Sequence, residues 1–296
     1  MMDGLVTDLH AAETAAGTAP KSAKAHKVKH RPHRAGRAAA KVQPAVPEEK
    51  DVLVADIPHE SSPWRAAVGA TGLMLPRYDG ASRYLFFPLP LAELSYKDVF
   101  TASVLDGVEV NLFRHEAFTA GPLVRIDFTQ RVPRDRPAPW AGTFYTSVEG
   151  GAFAEYRLAT PFPLKLRAEV LQSFNAHLGL DAKFAILGTH ELLPDVTLEA
   201  GPVVHWGNRL SLDSRFGVDA LSGPGGWPAF SPGAGFASYG VESEIEWRVN
   251  KTIRLTAIAE YERLTPHVAS SPIVQNGGSP NQFALGLSLA YRFNGP

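Results

Sequence analysis

The chain has 296 residues, room for one large domain or two ordinary ones, and its formal net charge of −1 gives no global attraction to nucleic acid or anionic lipid. It has no cysteine, which excludes disulfides and thiolate chemistry. No run approaches the roughly 20 apolar residues of a membrane-crossing helix, but that leaves open a barrel, whose strands hide their apolarity by alternating it.

Residues 1–62 are rich in Ala, Lys, His, Arg and Pro. Lys21, Lys24, Lys27, Lys29, Arg31, Arg34, Arg37 and Lys41 follow one another with no acid among them. Such a run buries too little apolar surface to offset the entropy of ordering it, so a disordered basic arm is expected. Its plain role is a solvated linker; its sharper one is contact with a polyanion such as lipopolysaccharide, acidic cell-wall polymer or nucleic acid. No aromatic residue is interleaved to stack on bases, so specific nucleic-acid readout is not expected. Residues 1–20 offer only Gly4-Leu5-Val6 before Asp8, not the roughly 7–15-residue apolar core of a secretory signal. Either the true start lies upstream, or the chain is a processed or engineered form, or it is not exported. The first two agree better with the pattern of the residues from Trp64 onward.

From Trp64 the pattern changes to strand after strand of period two. Trp64, Ala66, Val68, Ala70, Gly72 and Met74 share one face. Tyr84, Phe86, Ala92, Leu94 and Tyr96 share the next, with Pro88 and Pro90 weakening its first half. Val108, Val110 and Leu112 follow the Asp106-Gly107 turn signal. Pro122, Val124, Ile126 and Phe128 oppose Arg125, Asp127 and Arg131. Val148, Ala152, Ala154, Tyr156 and Leu158 oppose Glu149, Glu155 and Arg157. Leu164, Leu166, Ala168 and Val170 oppose Lys165, Arg167 and Glu169. Leu180, Ala182, Phe184 and Ile186 oppose Asp181 and Lys183. Val196, Leu198, Ala200, Val204 and Trp206 oppose Thr197, Glu199 and His205. Leu210, Leu212 and Phe216 oppose Arg209 and Asp213. Val241, Ile245, Trp247 and Val249 oppose Glu242, Glu244, Glu246 and Arg248. Ile253, Leu255, Ala257, Ala259 and Tyr261 oppose Arg254, Glu260 and Glu262. The last strand, 282–293, alternates Phe283, Leu285, Leu287, Leu289, Tyr291 and Phe293 with small or polar residues, and is the cleanest of the twelve.

An all-β fold is expected: a transmembrane, antiparallel, up-and-down barrel over 63–296, of about 12 strands, with ten or fourteen as alternatives. Fixed charges of both signs recur on the polar faces, and a soluble barrel of that size would have a wide interior to fill with Ala, Val and Leu. With the C-terminus in the periplasm, the long links 218–235 and 265–281 fall outside the cell and the tight links at Asn250 and Gly207-Asn208 inside. Trp64, Tyr96, Phe128, Phe174, Trp206, Trp247 and Phe293 then lie at periplasmic strand ends. Tyr84, Tyr156, Phe216, Tyr239 and Phe283 lie near outer ends, so two aromatic belts result. The link 132–146, with Pro133, Pro137 and Pro139, is long for a periplasmic turn, and the region 85–105 has room for another hairpin.

Several short pieces, in this order, resemble the MltA-interacting protein/OmpV family of outer-membrane proteins. They are Pro76-Arg77-Tyr78-Asp79-Gly80, Gly121-Pro122, Glu149-Gly150-Gly151-Ala152-Phe153 with Glu155-Tyr156, Gly201-Pro202 and Phe216-Gly217-Val218. Tyr261-Glu262-Arg263-Leu264, Ser271-Pro272-Ile273-Val274 and the closing Tyr291-Arg292-Phe293 complete the set. The resemblance implies a barrel in the outer-membrane lipid with no catalytic motif. It also implies a scaffold joining a lytic transglycosylase to a peptidoglycan synthase, or, as in other members, a role in adhesion, osmotic response or solute passage. The chain departs from the family in its basic arm and in ending Asn294-Gly295-Pro296 after the terminal aromatic.

Motifs for chemistry are thin, and no enzyme, cofactor or metal site is expected. Gly223-Pro224-Gly225-Gly226 lacks the lysine and strand–helix context of a phosphate loop and suits a surface loop. His115-Glu116 and His190-Glu191 lack the second histidine of a zinc helix. His26, His30 and His33 could hold a metal adventitiously but suit a solvated tail. No nucleophile-elbow serine is present. The candidate functional residues are therefore the charges expected to line the lumen: Arg125, Arg157, Lys165, Arg167, Glu169, Glu242, Glu244, Glu246, Arg254 and Glu260. They would form either a plug of paired charges or a polar path that selects solutes. Three classes remain: a scaffold for cell-wall enzymes, a small-solute channel or adhesin, and a soluble β-protein with a basic tail.

Overall fold

The computed structural model describes residues 63–127, 130–131, 143–144, 147–159, 161–174, 179–220 and 226–294; the expected arm at 1–62 lies outside them. Fifteen strands occur among the described residues. In chain order they are β1 (Trp64–Pro76), β2 (Tyr84–Tyr96), β3 (Phe100–Ser103), β4 (Gly107–Val110), β5 (Phe113–His115), β6 (Phe118–Asp127), β7 (Gln130–Arg131) and β8 (Thr143–Phe144). Next come β9 (Ser147–Leu158), β10 (Leu164–Ser173), β11 (Leu180–Leu193), β12 (Val196–Gly207), helix α1 (Arg209–Phe216), β13 (Gly235–Arg248) and β14 (Ile253–Leu264). Helices α2 (Pro266–Ala269) and α3 (Pro272–Gln275) precede β15 (Asn281–Asn294).

Apart from the separate β7–β8 ladder, the strands form one antiparallel sheet that closes on itself. β4 and β5 lie along one line: Val108 faces Val124 and Glu109 faces Leu123, then Phe113 faces Ala120 and His115 faces Phe118. They act as a single strand broken at Asn111-Leu112, so the barrel has twelve strands. β1 and β15 close it over ten residue pairs, from Arg65–Asn294 to Met74–Leu285. Midway along that seam the hydroxyls of Thr71 and Ser288 lie 2.8 Å apart, buried.

The apolar rows face out. Leu285, Leu287, Leu289, Tyr291, Phe293, Ile245 and Trp247 are all exposed, Leu287 by 63%. A protein in water would not present so continuous a row; hydrocarbon is the solvent that accepts it. The barrel is accordingly built to sit in a membrane, and a soluble β-protein is excluded.

Two expectations about individual strands need correction. Residues 210–216 are not a strand but part of α1. The Asn208 side chain caps this helix by accepting from the Ser211 backbone N–H at 2.9 Å, and Leu212 and Phe216, four residues apart, are buried on one face. Conversely, Phe100–Ser103 forms a strand outside the twelve expected ones, within the region 85–105 that had room for another hairpin. The two errors cancel in the count but invert the up-or-down direction of every strand between them.

The corrected directions sort the links into two ends. The links 97–99, 116–117, 159–163, 194–195 and 249–252 share one end, here the turn end, with Trp64 and Asn294. The links 77–83, 104–106, 128–146, 174–179, 208–234 and 265–280 share the other, the loop end. The link 132–146 lies largely outside the described residues; the strands on either side of it, β6 and β9, meet at the loop end, where Asp127 faces Ser147. Gly207-Asn208 is not a tight link but the start of a long one. Phe174 and Trp206 move to the loop end and Tyr156 to the turn end. The terminal strands keep their places, with Trp64 against Tyr96 at 4.6 Å between centroids, and Tyr261 against Phe283 at 5.0 Å.

The closest approach to a water-soluble core sits in the loops. Leu212, Phe216, Ala237, Leu264, Val268 and Val274 form one buried cluster. Tyr78, Ala81, Val218 and Ile273 form a second, against which Trp227 and Phe230 pack. Ser271 caps α3, and its hydroxyl also donates to the Phe216 carbonyl at 2.6 Å. Burial raises the pKa of the Tyr78 phenol, so it remains a neutral member of this cap. Most of the short pieces that carry the family resemblance near the loops, 76–80, 216–218, 261–264 and 271–274, converge here.

Candidate functional site: a charged lattice inside the barrel

The residues alternating with the exposed rows reach one another across intervening strands. Strands lie about 4.8 Å apart, so only side chains on the concave face can bridge to the second or third neighbour. Arg125 on β6 reaches over β9 to Glu169 on β10 at 3.3 Å, and also meets Glu149 at 3.5 Å. Lys165 on β10 pairs with Glu199 on β12, and Lys183 on β11 with Glu242 on β13. Arg254 on β14 passes β15 and β1 to bind Glu93 on β2 at 2.5 Å, and lies 3.7 Å from Glu246.

Arg167 is the hub. Its guanidinium meets Glu169 at 2.7 Å, Glu155 at 3.4 Å and, on the third strand over, Glu109. It also stands 5.0 Å from the Phe153 ring centroid. Glu155 holds Arg157 as well, at 2.7 Å. Glu155 and Glu169 are both nearly inaccessible, so these carboxylates depend on their partners for compensation.

Nine of the ten charges singled out from the sequence thus enter ion pairs: Arg125, Arg157, Lys165, Arg167, Glu169, Glu242, Glu246, Arg254 and Glu260. Glu244 does not, among the described residues. The register explains part of this. Glu242 faces Glu260 directly, but Glu244 faces Ile258 and Glu246 faces Thr256, so the three glutamates of β13 do not meet β14's charges one for one.

Above the lattice, toward the loop end, lies a cavity of about 480 Å³ with two kinds of wall. One is apolar: Leu73, Leu75, Leu85, Phe87 and Leu89, from β1 and β2. The other carries Arg125, Glu149, Asp181, His205, Arg215 and Glu260. The apolar wall is not evident in the sequence, because the two prolines weaken the alternation of β2. In the fold they do no harm. β3 pairs with β2 only at Glu93–Tyr96, so the stretch holding Pro88 and Pro90 has a partner on one side alone among the described residues.

Arg215, on α1, lines this cavity. It pairs with Asp181 and lies 3.8 Å from Asp79. Burial works against its charge, but Asp181 and Asp79 outweigh burial and its pKa is raised. Beside it, His205 on β12 reaches over β13 to Glu260 and Glu262 on β14, at 3.7 and 3.3 Å. In the sequence these last three stand out only as members of polar faces. Their meeting depends on the barrel's curvature, which no local pattern encodes.

The family profile described as MltA-interacting protein MipA matches residues 68–293. No curated protein matches. Among solved structures, an outer membrane channel from Pseudomonas putida F1 is similar at 10% identity and a TM-score of 0.45, covering 80% of this chain and 98% of that one. The Ralstonia pickettii toluene transporter TbuX gives 8% and 0.35, covering 79% and 90%. OmpT, an outer membrane protein of Vibrio cholerae, gives 9% and 0.31, covering 78% and 96%.

Proposed function

Because the chain belongs to the MltA-interacting protein MipA family, we propose that it is a non-catalytic outer-membrane scaffold that recruits cell-wall enzymes, with the turn end toward the periplasm. Its partners would be a lytic transglycosylase, as the family's description suggests, and a peptidoglycan synthase. The observation that carries this reading is the ion-pair lattice, in which Arg167, Arg125 and Arg254 each tie strands that are not neighbours. Side chains so tied cross the interior of a twelve-strand barrel and oppose free diffusion through it.

Recruitment would fall to the turn end, where the arm 1–62 leads into β1. There Arg65 on β1 and Arg114 on β5 both pair with the exposed Asp98 of the link 97–99, at 3.5 and 3.1 Å. The arm's basic run would add contact with an acidic cell-wall polymer or lipopolysaccharide. The full chain in detergent, used as bait in periplasmic extract, should capture a lytic transglycosylase, and deletion of 1–62 tells whether the arm or the turns hold it. In planar bilayers the protein should give no resolvable conductance steps. Clear steps together with no captured enzyme would overturn the scaffold.

A second reading, a small-solute path, draws on the two-walled cavity of about 480 Å³. Under it, Glu244→Gln removes a carboxylate that no ion pair among the described residues uses, and should shift ion selectivity without loosening the fold. Under the scaffold reading the same variant changes nothing.

A further inference from the structure

We infer that His205, Glu260 and Glu262 form a binding site for a divalent transition-metal ion, with Zn²⁺ the ion they fit best. The three side chains come from β12 and β14, project past β13, and bring one ligand atom each within 4.8 Å of the others. The His205 Nε2 atom stands 3.3 Å from a Glu262 oxygen and 3.7 Å from a Glu260 oxygen. Bonds of about 2.1 Å at tetrahedral angles hold neighbouring ligand atoms about 3.4 Å apart. The trio is therefore already spaced as first-row metal ligands are.

The same atoms are otherwise ill-served. His205 Nε2 and Glu260 Oε1 are buried, and neither has a hydrogen-bond partner among the described residues. A buried imidazole nitrogen and a buried carboxylate oxygen that face each other at 3.7 Å without a hydrogen bond are costly unless something occupies the space between them. Fixed cations act on these carboxylates only from beyond ion-pair distance. Lys183 is held by Glu242, Arg215 by Asp181 and Asp79, and no lysine or arginine among the described residues pairs with Glu260 or Glu262. Two carboxylates thus share one imidazole, and a divalent cation would balance them.

The surroundings support the assignment. Ser238 donates its hydroxyl to the other oxygen of Glu262, which fixes that carboxylate as outer partners fix ligands. One imidazole and two carboxylates leave a fourth position open. His205 and Glu260 line both the cavity of about 480 Å³ and a second of about 220 Å³ next to it. The open position would face them and could take water or an anionic group of a small ligand.

The test is calorimetric titration of the full, folded chain in detergent with Zn²⁺, and with Co²⁺ for its visible absorption. One ion should bind per chain. His205→Ala and Glu260→Gln should each weaken binding by more than the roughly 10–100-fold that loss of an outer partner costs. Heat-modifiable gel migration checks that both variants are folded. The arm histidines supply the necessary control: the triple change H26A/H30A/H33A should leave the strong site intact. Loss of strong binding in that triple variant, or its survival in folded His205→Ala, would overturn the proposal, as would no binding at all.

Discussion

Arg167 shows what a single residue does in this interior. Three carboxylates, Glu109, Glu155 and Glu169, converge on it. Removing one partner of a buried pair leaves an uncompensated charge, at a cost of about 3–5 kcal/mol. Arg167→Met should therefore lower stability by that order in urea unfolding from lipid vesicles. Arg167→Lys should recover only part of it, because a point charge cannot fork to several carboxylates. Arg167 was legible in the sequence as a polar-face charge. Its choice of partners was not, because pairs that skip strands depend on the barrel's curvature.

At the scale of elements, α1 and β3 show the limits of a period of two. Leu210, Leu212 and Phe216 mimic a strand, yet Leu212 and Phe216 are four apart and Asn208 stands at a capping position. Those two signals were present and outweigh the alternation. β3 has only four residues, too few for any period to show. The long strands were readable because lipid demands an apolar residue at every second position. Glycine adds a further constraint. A Cβ on Gly201 would lie 1.8 Å from the Ile186 carbonyl oxygen, and one on Gly151 1.9 Å from that of Val170. The chains approach too closely there for any side chain. Gly201→Val should reduce the yield of heat-modifiable, folded barrel, whereas Ala200→Val, one residue away, should not.

For the whole molecule, the outward rows and the loop cap make opposite demands of solvent. Trp64 and Trp247 are exposed by 45% and 46% on the barrel wall, while Trp227 packs against the cap cluster. In vesicles of brominated lipid, variants keeping only Trp64 or Trp247 should be strongly quenched, and one keeping only Trp227 should not. Equal quenching of all three would contradict the membrane placement. The barrel class was legible from the outward rows alone. The cap was not, since its apolar residues are scattered over links that carry no periodicity.

The cap also bears on how the molecule is completed. The link 77–83 and the link 265–280 belong to the first and last hairpins, and they fasten to each other. The Ser279 backbone N–H donates to the Gly80 carbonyl at 2.8 Å, Ala81 bridges Gly278, and the Gln282 side chain accepts from the Gly80 N–H at 3.1 Å. A chain still threading into the bilayer cannot have this latch, because its two halves arrive at opposite ends of synthesis. The latch can snap shut only after the final strand is seated. Arg77 and Arg83 flank it, so trypsin should cut there in every unfinished intermediate and cease to cut once the wall is sealed.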